Sequence, residues 1–256
     1  MEHSSFALAG TAAIGRTLDL FEALVHNGGA RPLSAIAMDI GLPSSTAYRM
    51  AALLVRRGLI APARRGHYRA GLTLIDLAAG NDPNATLADA ARPLLRRLAR
   101  KTRATAHLGV WGDDMVTYLV KESGHGAKLF TREGGQLEAY CSAIGKVLLA
   151  HMDAVKQEAY LAAGPFVALT AQTVVEPERI RAVLQRAKLD GYATDDEEIA
   201  DGLFCIALPL QRDDGRVLAA ISLSMAGSRD HLKRPPPELV SCAKAIQARL
   251  GETRAA

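Results

Sequence analysis

At 256 residues the chain is long enough for one large core or two small ones, and too long for a lone recognition module. Hydrophobic residues make up 49% and charged residues 23%, mean hydropathy is +0.05, no run approaches the roughly eighteen apolar residues of a membrane span, and the start lacks the basic-then-apolar order of a signal peptide; the expectation is a cytoplasmic protein without a membrane partner. The net charge of +4 divides unevenly, with 14 Lys+Arg against 7 Asp+Glu over residues 1–110 and 17 against 20 thereafter, so the first part favours a polyanion and the second does not.

The first 70 residues are expected to form three short helices and a hairpin. In 14–25, Ile14, Leu18, Phe21 and Val25 recur at three- and four-residue spacing, and 33–40 repeats the pattern with Leu33, Ile36, Ala37 and Ile40. Gly41-Leu42-Pro43 breaks that helix, and Pro43 with the serines behind it suits the start of the next. Along 44–57, Ala47, Met50, Ala51 and Leu54 face inward, leaving Ser44, Ser45, Tyr48 and Arg49 on the outer face of the first turns. Hydroxyls, an aromatic ring and a guanidinium fork are groove-reading groups. Strands at 59–61 and 67–70 around Arg64-Arg65-Gly66 resemble the wing of a winged helix-turn-helix.

Residues 71–80 form a short amphipathic helix between glycines, and Asn81-Asp82-Pro83-Asn84 breaks the chain after it. The helix 86–101 turns Leu87, Leu94, Leu95 and Leu98 inward and Arg92, Arg96, Arg97, Arg100 and Lys101 outward, with a kink or restart at Pro93; its basic face is solvated or approaches DNA. The period then shifts toward two. Strands at 104–111 and 115–121 flank Asp113-Asp114, helices follow at 143–151, 153–163 and 176–190, strands at 203–210 and 216–225 surround Asp213-Asp214-Gly215, and a helix at 236–250 closes the chain. This half is an α+β domain on one mainly antiparallel sheet.

Cys141, Cys205 and Cys242 stand 64 and 37 residues apart, which makes neither a disulfide framework nor a zinc motif; free thiols and no cofactor are expected. A catalytic reading of Cys141, Cys205, His107, His125, His151 and the run Asp195-Asp196-Glu197-Glu198 lacks any metalloprotease, P-loop or dinucleotide motif, and the acidic run suits a loop or helix start.

Three stretches, LSAIAMDIGLPSSTAYRMAALLVRRGLI at 33–60, AYCSAIGKVLLA at 139–150 and GYATDDEEIADGLFCIALPL at 191–210, make the chain similar to the IclR family of bacterial transcriptional regulators over nearly its whole length. The resemblance implies a winged helix-turn-helix over 1–70, a linker helix and connector over 71–85, and a GAF-like effector-binding and oligomerisation domain over 86–251. It implies double-stranded operator DNA, a small organic-acid effector, a homodimer or homotetramer and, for activators, RNA polymerase as partners. By the same analogy Ser44, Ser45, Thr46, Tyr48 and Arg49 match the recognition helix and Arg64 and Arg65 the wing. The effector would lie beside Ser142-Ala143-Ile144-Gly145-Lys146 and near Asp195, Cys205, Ser222 and Ser224. Physically, a loop entering a helix offers N–H groups to a carboxylate, and Ser222 and Ser224, two apart on a strand, share a face. Tyr140-Cys141 departs from the smaller residue and histidine common in relatives and would reshape the pocket mouth. Leu108, Val110, Tyr118, Leu119, Phe130, Leu203 and Ile206 are expected as apolar walls. The competing reading is a DNA-bound regulator without a small ligand, controlled by assembly or a protein partner; a filled core in place of a ligand-sized pocket near Ser142, Cys205 and Ser222 would favour it.

Overall fold

The computed structural model describes residues 11–124, 129–212, 214–227 and 229–255, which fall into two compact units, one ending at Asp82 and one starting at Pro83. The first holds α1 (Thr11–Asn27), α2 (Leu33–Asp39), α3 (Ser44–Arg56), the hairpin β1 (Ile60–Arg64) and β2 (His67–Ala70), and α4 (Leu72–Ala79). Its core gathers Leu20 and Leu24 of α1, Leu33, Ile36 and Ala37 of α2, Ala47, Ala51 and Leu54 of α3, and Ile60.

One expectation fails here. The apolar stripe of α1 is rotated: Leu20 and Leu24 are fully buried, whereas Ile14 and Leu18 are 62% and 52% exposed. The helix carries two apolar stripes, and packing on α3 and β2 selects the second. In α4, expected as a linker helix with part of its apolar face against another subunit, no residue is buried, and Leu72 is 76% exposed.

The second unit runs through α5 (Pro83–Thr102), β3 (Thr105–Gly112), β4 (Met115–Ser123), β5 (Gln136–Glu138), α6 (Ala143–Ala150), α7 (Ala154–Ala162), α8 (Pro177–Asp190), β6 (Ala193–Asp196), β7 (Leu203–Gln211), β8 (Val217–Ala226), a 3-10 turn (Asp230–Lys233) and α9 (Pro237–Ala255). Among the described residues the strands form one sheet, ordered β5-β4-β3-β8-β7-β6, and every neighbouring pair is antiparallel. The β3–β4 turn uses Asp113 and Asp114 with φ of 52° and 59°, as a two-residue hairpin of this hand requires. The strands at Asp213-Asp214-Gly215 also join, although Asp213 lies outside the described residues.

Alternation along the strands builds two cores. Ala106, Leu108, Val110, Ile206, Ile221 and Leu223 pack with Leu95 of α5 and Ile246 of α9, while the opposite face meets Ile144 and Val147 of α6 and Ile180 of α8. Helix α5 starts at Pro83, three residues earlier than expected, because proline suits a first helical position; Pro93 lies within it without a restart. Three residues of its basic face are ion-paired inside the unit, Arg92 to Glu133 at 2.6 Å, Arg96 to Glu122 at 3.1 Å and Lys101 to Glu238 at 3.3 Å, while Arg97 and Arg100 are exposed. β5 and β6 have three and four residues, too short to show alternation in sequence. The acidic run is half strand and half loop and not a helix start: Asp195 and Asp196 end β6, paired to Cys205 and Phe204, and Glu197 and Glu198 lie in the bend that follows, with φ 63° at Glu197.

Candidate DNA-recognition surface and effector cavity

On α3 the inward residues Ala47, Ala51 and Leu54 leave Ser44, Ser45, Tyr48 and Arg49 exposed and Thr46 half-buried. Pro43 occupies the N-cap, and no side chain caps the helix. Neither serine hydroxyl is therefore used on its own helix, and the N–H groups of Ser44, Ser45 and Thr46 have no partner within it; such an end fits a phosphate oxygen. The Tyr48 hydroxyl lies 3.5 Å from where a Cβ on Gly66 would stand, so the helix's outer face adjoins the hairpin turn. That turn is fixed from behind: Leu33 N–H donates to Gly66 O at 2.7 Å and His67 Nδ1 to Gly29 O at 2.9 Å. Arg64 is the last residue of β1 and reaches back to Ala30 O at 3.5 Å, while Arg65 stands exposed in the turn.

In the second unit the strand registers align side chains across the sheet. Thr105, Ser224, Cys205 and Asp195 form one cross-strand row; Lys121, His107, Ser222 and Ala207 form the next. Above them the start of α6 brings Ser142, Ala143 and Ile144, and residues 129–131 with Tyr118, Ile199 and Leu203 complete a cavity of about 20 Å³, room for one water. A larger open groove of about 400 Å³ lies between the start of α5, the ends of β7 and β8, and α9. Its polar groups, such as Gln211, Arg212 and Gln247, are none of them buried, so convergent chemistry favours the smaller space.

Asp195 is 1% exposed, and its Oδ1 accepts from the N–H of Glu198 at 2.8 Å and Ile199 at 3.3 Å. Burial pushes its carboxyl up to about 6, with Lys146 and the Glu198 N–H pulling the other way. Burial, then Asp195, hold the Cys205 thiol well above its ordinary range, in hydrogen-bond contact with Asp195 and Ser224; a thiol so placed is a wall and not a nucleophile. Lys146, 2% exposed, donates to Thr194 O at 2.9 Å and pairs with Glu198. The buried cation is thus engaged, and no lysine or arginine is among the described residues lining the cavity. His107, 1% exposed, is lowered to about 3 by burial and then by Lys121, so it is neutral. Its Nε2 meets Thr131 Oγ1 at 2.9 Å, and its ring lies 4.8 Å from Tyr118.

Of the expected effector residues, Ser142, Ala143, Ile144, Asp195, Cys205, Ser222 and Ser224 line this one cavity, and Gly145 does not. Gly145 serves the backbone: its N–H donates to the Ser142 hydroxyl at 3.1 Å, and a Cβ there would stand 2.2 Å from Ala139 O. Tyr118, Phe130 and Leu203 are wall residues; Leu108, Val110, Leu119 and Ile206 belong to the opposite core, because period-two alternation sends them through the sheet. Tyr140 and Cys141 do not line the cavity: Cys141 is fully buried, and Tyr140 packs on Phe166 with the two rings tilted and donates to Val167 O at 2.6 Å. Thr105 and His107 stand in the same cross-strand rows without lining the cavity, and their alternation with Ala106 and Leu108 carries that signal; sequence reasoning missed Thr131 and the Lys146–Glu198 pairing, which have none. Among the other groups weighed for catalysis, His151 bonds Val147 O of its own helix and His125 lies outside the described residues. No group of three or more metal-ligating side chains occurs among the described residues, and no helix among them is long and apolar enough to cross a membrane.

A helix-turn-helix with a wing in one unit, and a sheet enclosing a polar cavity in the other, define a DNA-binding regulator. Residues 83–248 match the family described as "Bacterial transcriptional regulator IclR C-terminal", and residues 13–63 match the "IclR helix-turn-helix domain". The chain belongs to the IclR family of transcriptional regulators. It is 29% identical over 246 residues to the HTH-type transcriptional regulator KdgR of Escherichia coli strain K12, spanning 93% of this chain and 94% of that one. It is 30% identical over 217 residues to the regulator BhcR of Paracoccus denitrificans, spanning 84% and 77%. A crystal structure of an IclR homolog complexed with 4-hydroxybenzoate, from Microbacterium hydrocarbonoxydans, superposes with a TM-score of 0.63 at 28% identity over 95% of this chain and all of that one.

Proposed function

We propose that this regulator senses a small organic acid in the cavity above β6, β7, β8 and β3, and that occupancy alters its hold on operator DNA or its recruitment of RNA polymerase. The observation that carries the reading is the cross-strand row Thr105–Ser224–Cys205–Asp195 beneath the open end of α6. The N–H groups of Ala143 and Ile144 and the hydroxyls of Ser222 and Ser224 would hold a carboxylate, and Asp195, raised to about 6 by burial, would take up a proton as the acid binds and donate to it instead of repelling it. The organic acid held by the Microbacterium homolog supports the chemical class.

The second unit is read as GAF-like, residues 71–85 as the connector, and the protein as a homodimer or homotetramer acting on chromosomal DNA in the cytoplasm. Two copies of α3 would enter successive major grooves, with Ser45, Tyr48 and Arg49 reading bases, Ser44 and Thr46 bonding phosphates, and Arg64 and Arg65 of the wings on the backbone. One observation favours a second reading, in which the domain is an assembly platform without a ligand: the cavity holds only about 20 Å³. A thermal-shift screen against oxoacids, hydroxyacids, sugar acids and aromatic acids separates the two. Saturable stabilisation by one class, lost in the Ser222→Ala/Ser224→Ala variant, is the expected result; a flat response across the panel from well-folded protein contradicts it.

A further inference from the structure

The segment Leu129–Glu133, between β4 and β5, touches both the cavity and α5. Leu129, Phe130 and Thr131 line the cavity, and two neighbours in the second cross-strand row hold the segment from beneath. His107 Nε2 meets the Thr131 hydroxyl at 2.9 Å, and Lys121 Nζ donates to Leu129 O at 2.8 Å and also to Thr131 O. Beyond Thr131, Glu133 accepts both guanidinium nitrogens of Arg92 at 2.6 and 3.0 Å and takes the Lys121 N–H at 2.9 Å. Arg92 also lies 3.6 Å from Glu122, which Arg96 grips through two bonds of 3.1 Å. A single exposed ion pair carries little, but bidentate pairs sharing partners are the exception. Gly134, φ 71°, ends the segment, with its N–H on Tyr118 O at 2.8 Å.

We propose that residues 129–133 form a strap that transmits cavity occupancy to α5: Thr131 contacts the occupant, His107 positions Thr131, and Glu133 passes the displacement to Arg92. α5 is the first helix of its unit, directly after the connector, so it is the element through which a change in the cavity must leave by way of the chain. The inference rests on the effector reading for its purpose, but the mechanical link is testable without a ligand.

The experiment is peptide-level hydrogen exchange on the full chain in four forms: wild type, Thr131→Val, Arg92→Ala and the double variant. Thr131→Val keeps the side chain's shape and removes its bond to His107. It should speed exchange over residues 83–95 about threefold or more in the wild-type background and add nothing once Arg92 is alanine, as coupled sites behave. His107→Phe, a second route to releasing Thr131, should reproduce the effect. Unchanged exchange in α5, or the same increment with and without Arg92, overturns the proposal. If α5 responds while no acid in the thermal-shift panel binds, the link stands and the effector reading falls; if acids bind and α5 is unmoved, the reverse holds.

Discussion

Burial favours the neutral forms of both Asp195 and His107, and that fixes opposite pH dependences. His107, lowered to about 3 from the usual 6.5, contributes stability that is complete above about pH 6.5 and is lost as pH falls toward 3. Asp195, raised to about 6 from the usual 3.8, contributes stability that is complete below about pH 4 and is lost as pH rises through 6. Asp195→Asn keeps an acceptor for the Glu198 and Ile199 N–H groups while removing the charge. Thermal melts from pH 4 to 8 should show no gain for this variant at pH 4 and a gain of at most about 3 kcal/mol by pH 8; a variant equally destabilised across the range contradicts the assignment. On α3, Arg49→Ala should weaken binding to a specific site by about 1–3 kcal/mol while changing nonspecific affinity far less. Anisotropy titrations on specific and scrambled duplexes measure the difference, and equal losses would reject base reading by Arg49. Single residues were legible where a strand pattern fixed their side: Ser222 and Ser224 needed only spacing two, whereas Thr131 sits in an irregular segment whose facing no period encodes.

At the scale of elements, α6 is held by two contacts that sequence does not advertise. Gly145 lets the helix start pass close to Ala139, and Gly145→Ala, whose Cβ would fall 2.2 Å from Ala139 O, should cost roughly 3 kcal/mol, seen as a lower melting temperature with no direct loss of a ligand contact. The Lys146–Glu198 pair ties α6 to the turn after β6, and that turn is clipped again by the Thr170 and Thr173 hydroxyls on Glu197 O and Glu198 O, both at 2.7 Å. Lys146→Met should destabilise by about 3–5 kcal/mol by stranding Glu198, and adding Glu198→Leu should restore much of it; denaturant melts of the two singles and the double give the answer, and additive losses would contradict a buried pair. Long elements such as α3, α8, β7 and β8 were legible because each offers several periods of apolar residues. β5 and β6 were not, since strands of three and four residues stabilise through their neighbours. The face of α1 was misjudged for a related reason: two apolar stripes compete, and only tertiary contact decides between them.

At the scale of the whole molecule, the two-unit division and the three family-like stretches agree on one organisation, a recognition module followed by an α+β domain, whereas the charge asymmetry does not follow that division: Arg92, Arg96, Arg97, Arg100, Lys101 and Arg103 belong to the second unit, so Lys+Arg against Asp+Glu stand at 8 to 6 up to Asp82 and 23 to 21 from Pro83. The sequence could not reveal that Arg92, Arg96 and Lys101 of α5 are answered by Glu133, Glu122 and Glu238 from distant parts of the same unit, because ion pairing between distant elements has no local signature. It follows that DNA affinity should depend on Arg49, Arg64 and Arg65 and much less on Arg92 and Arg96. Affinity should also fall steeply with salt, with a shallower slope once Arg65 is replaced by alanine.

The measurement that tests the central claim most directly is selection of bound duplexes from a random library by the full chain, followed by anisotropy on the enriched sequence. The account predicts one enriched site bound at least about a thousandfold more tightly than its scrambled form, with that preference largely lost in Arg49→Ala. No enrichment, or enrichment that survives Arg49→Ala unchanged, would contradict α3 as the element that reads DNA.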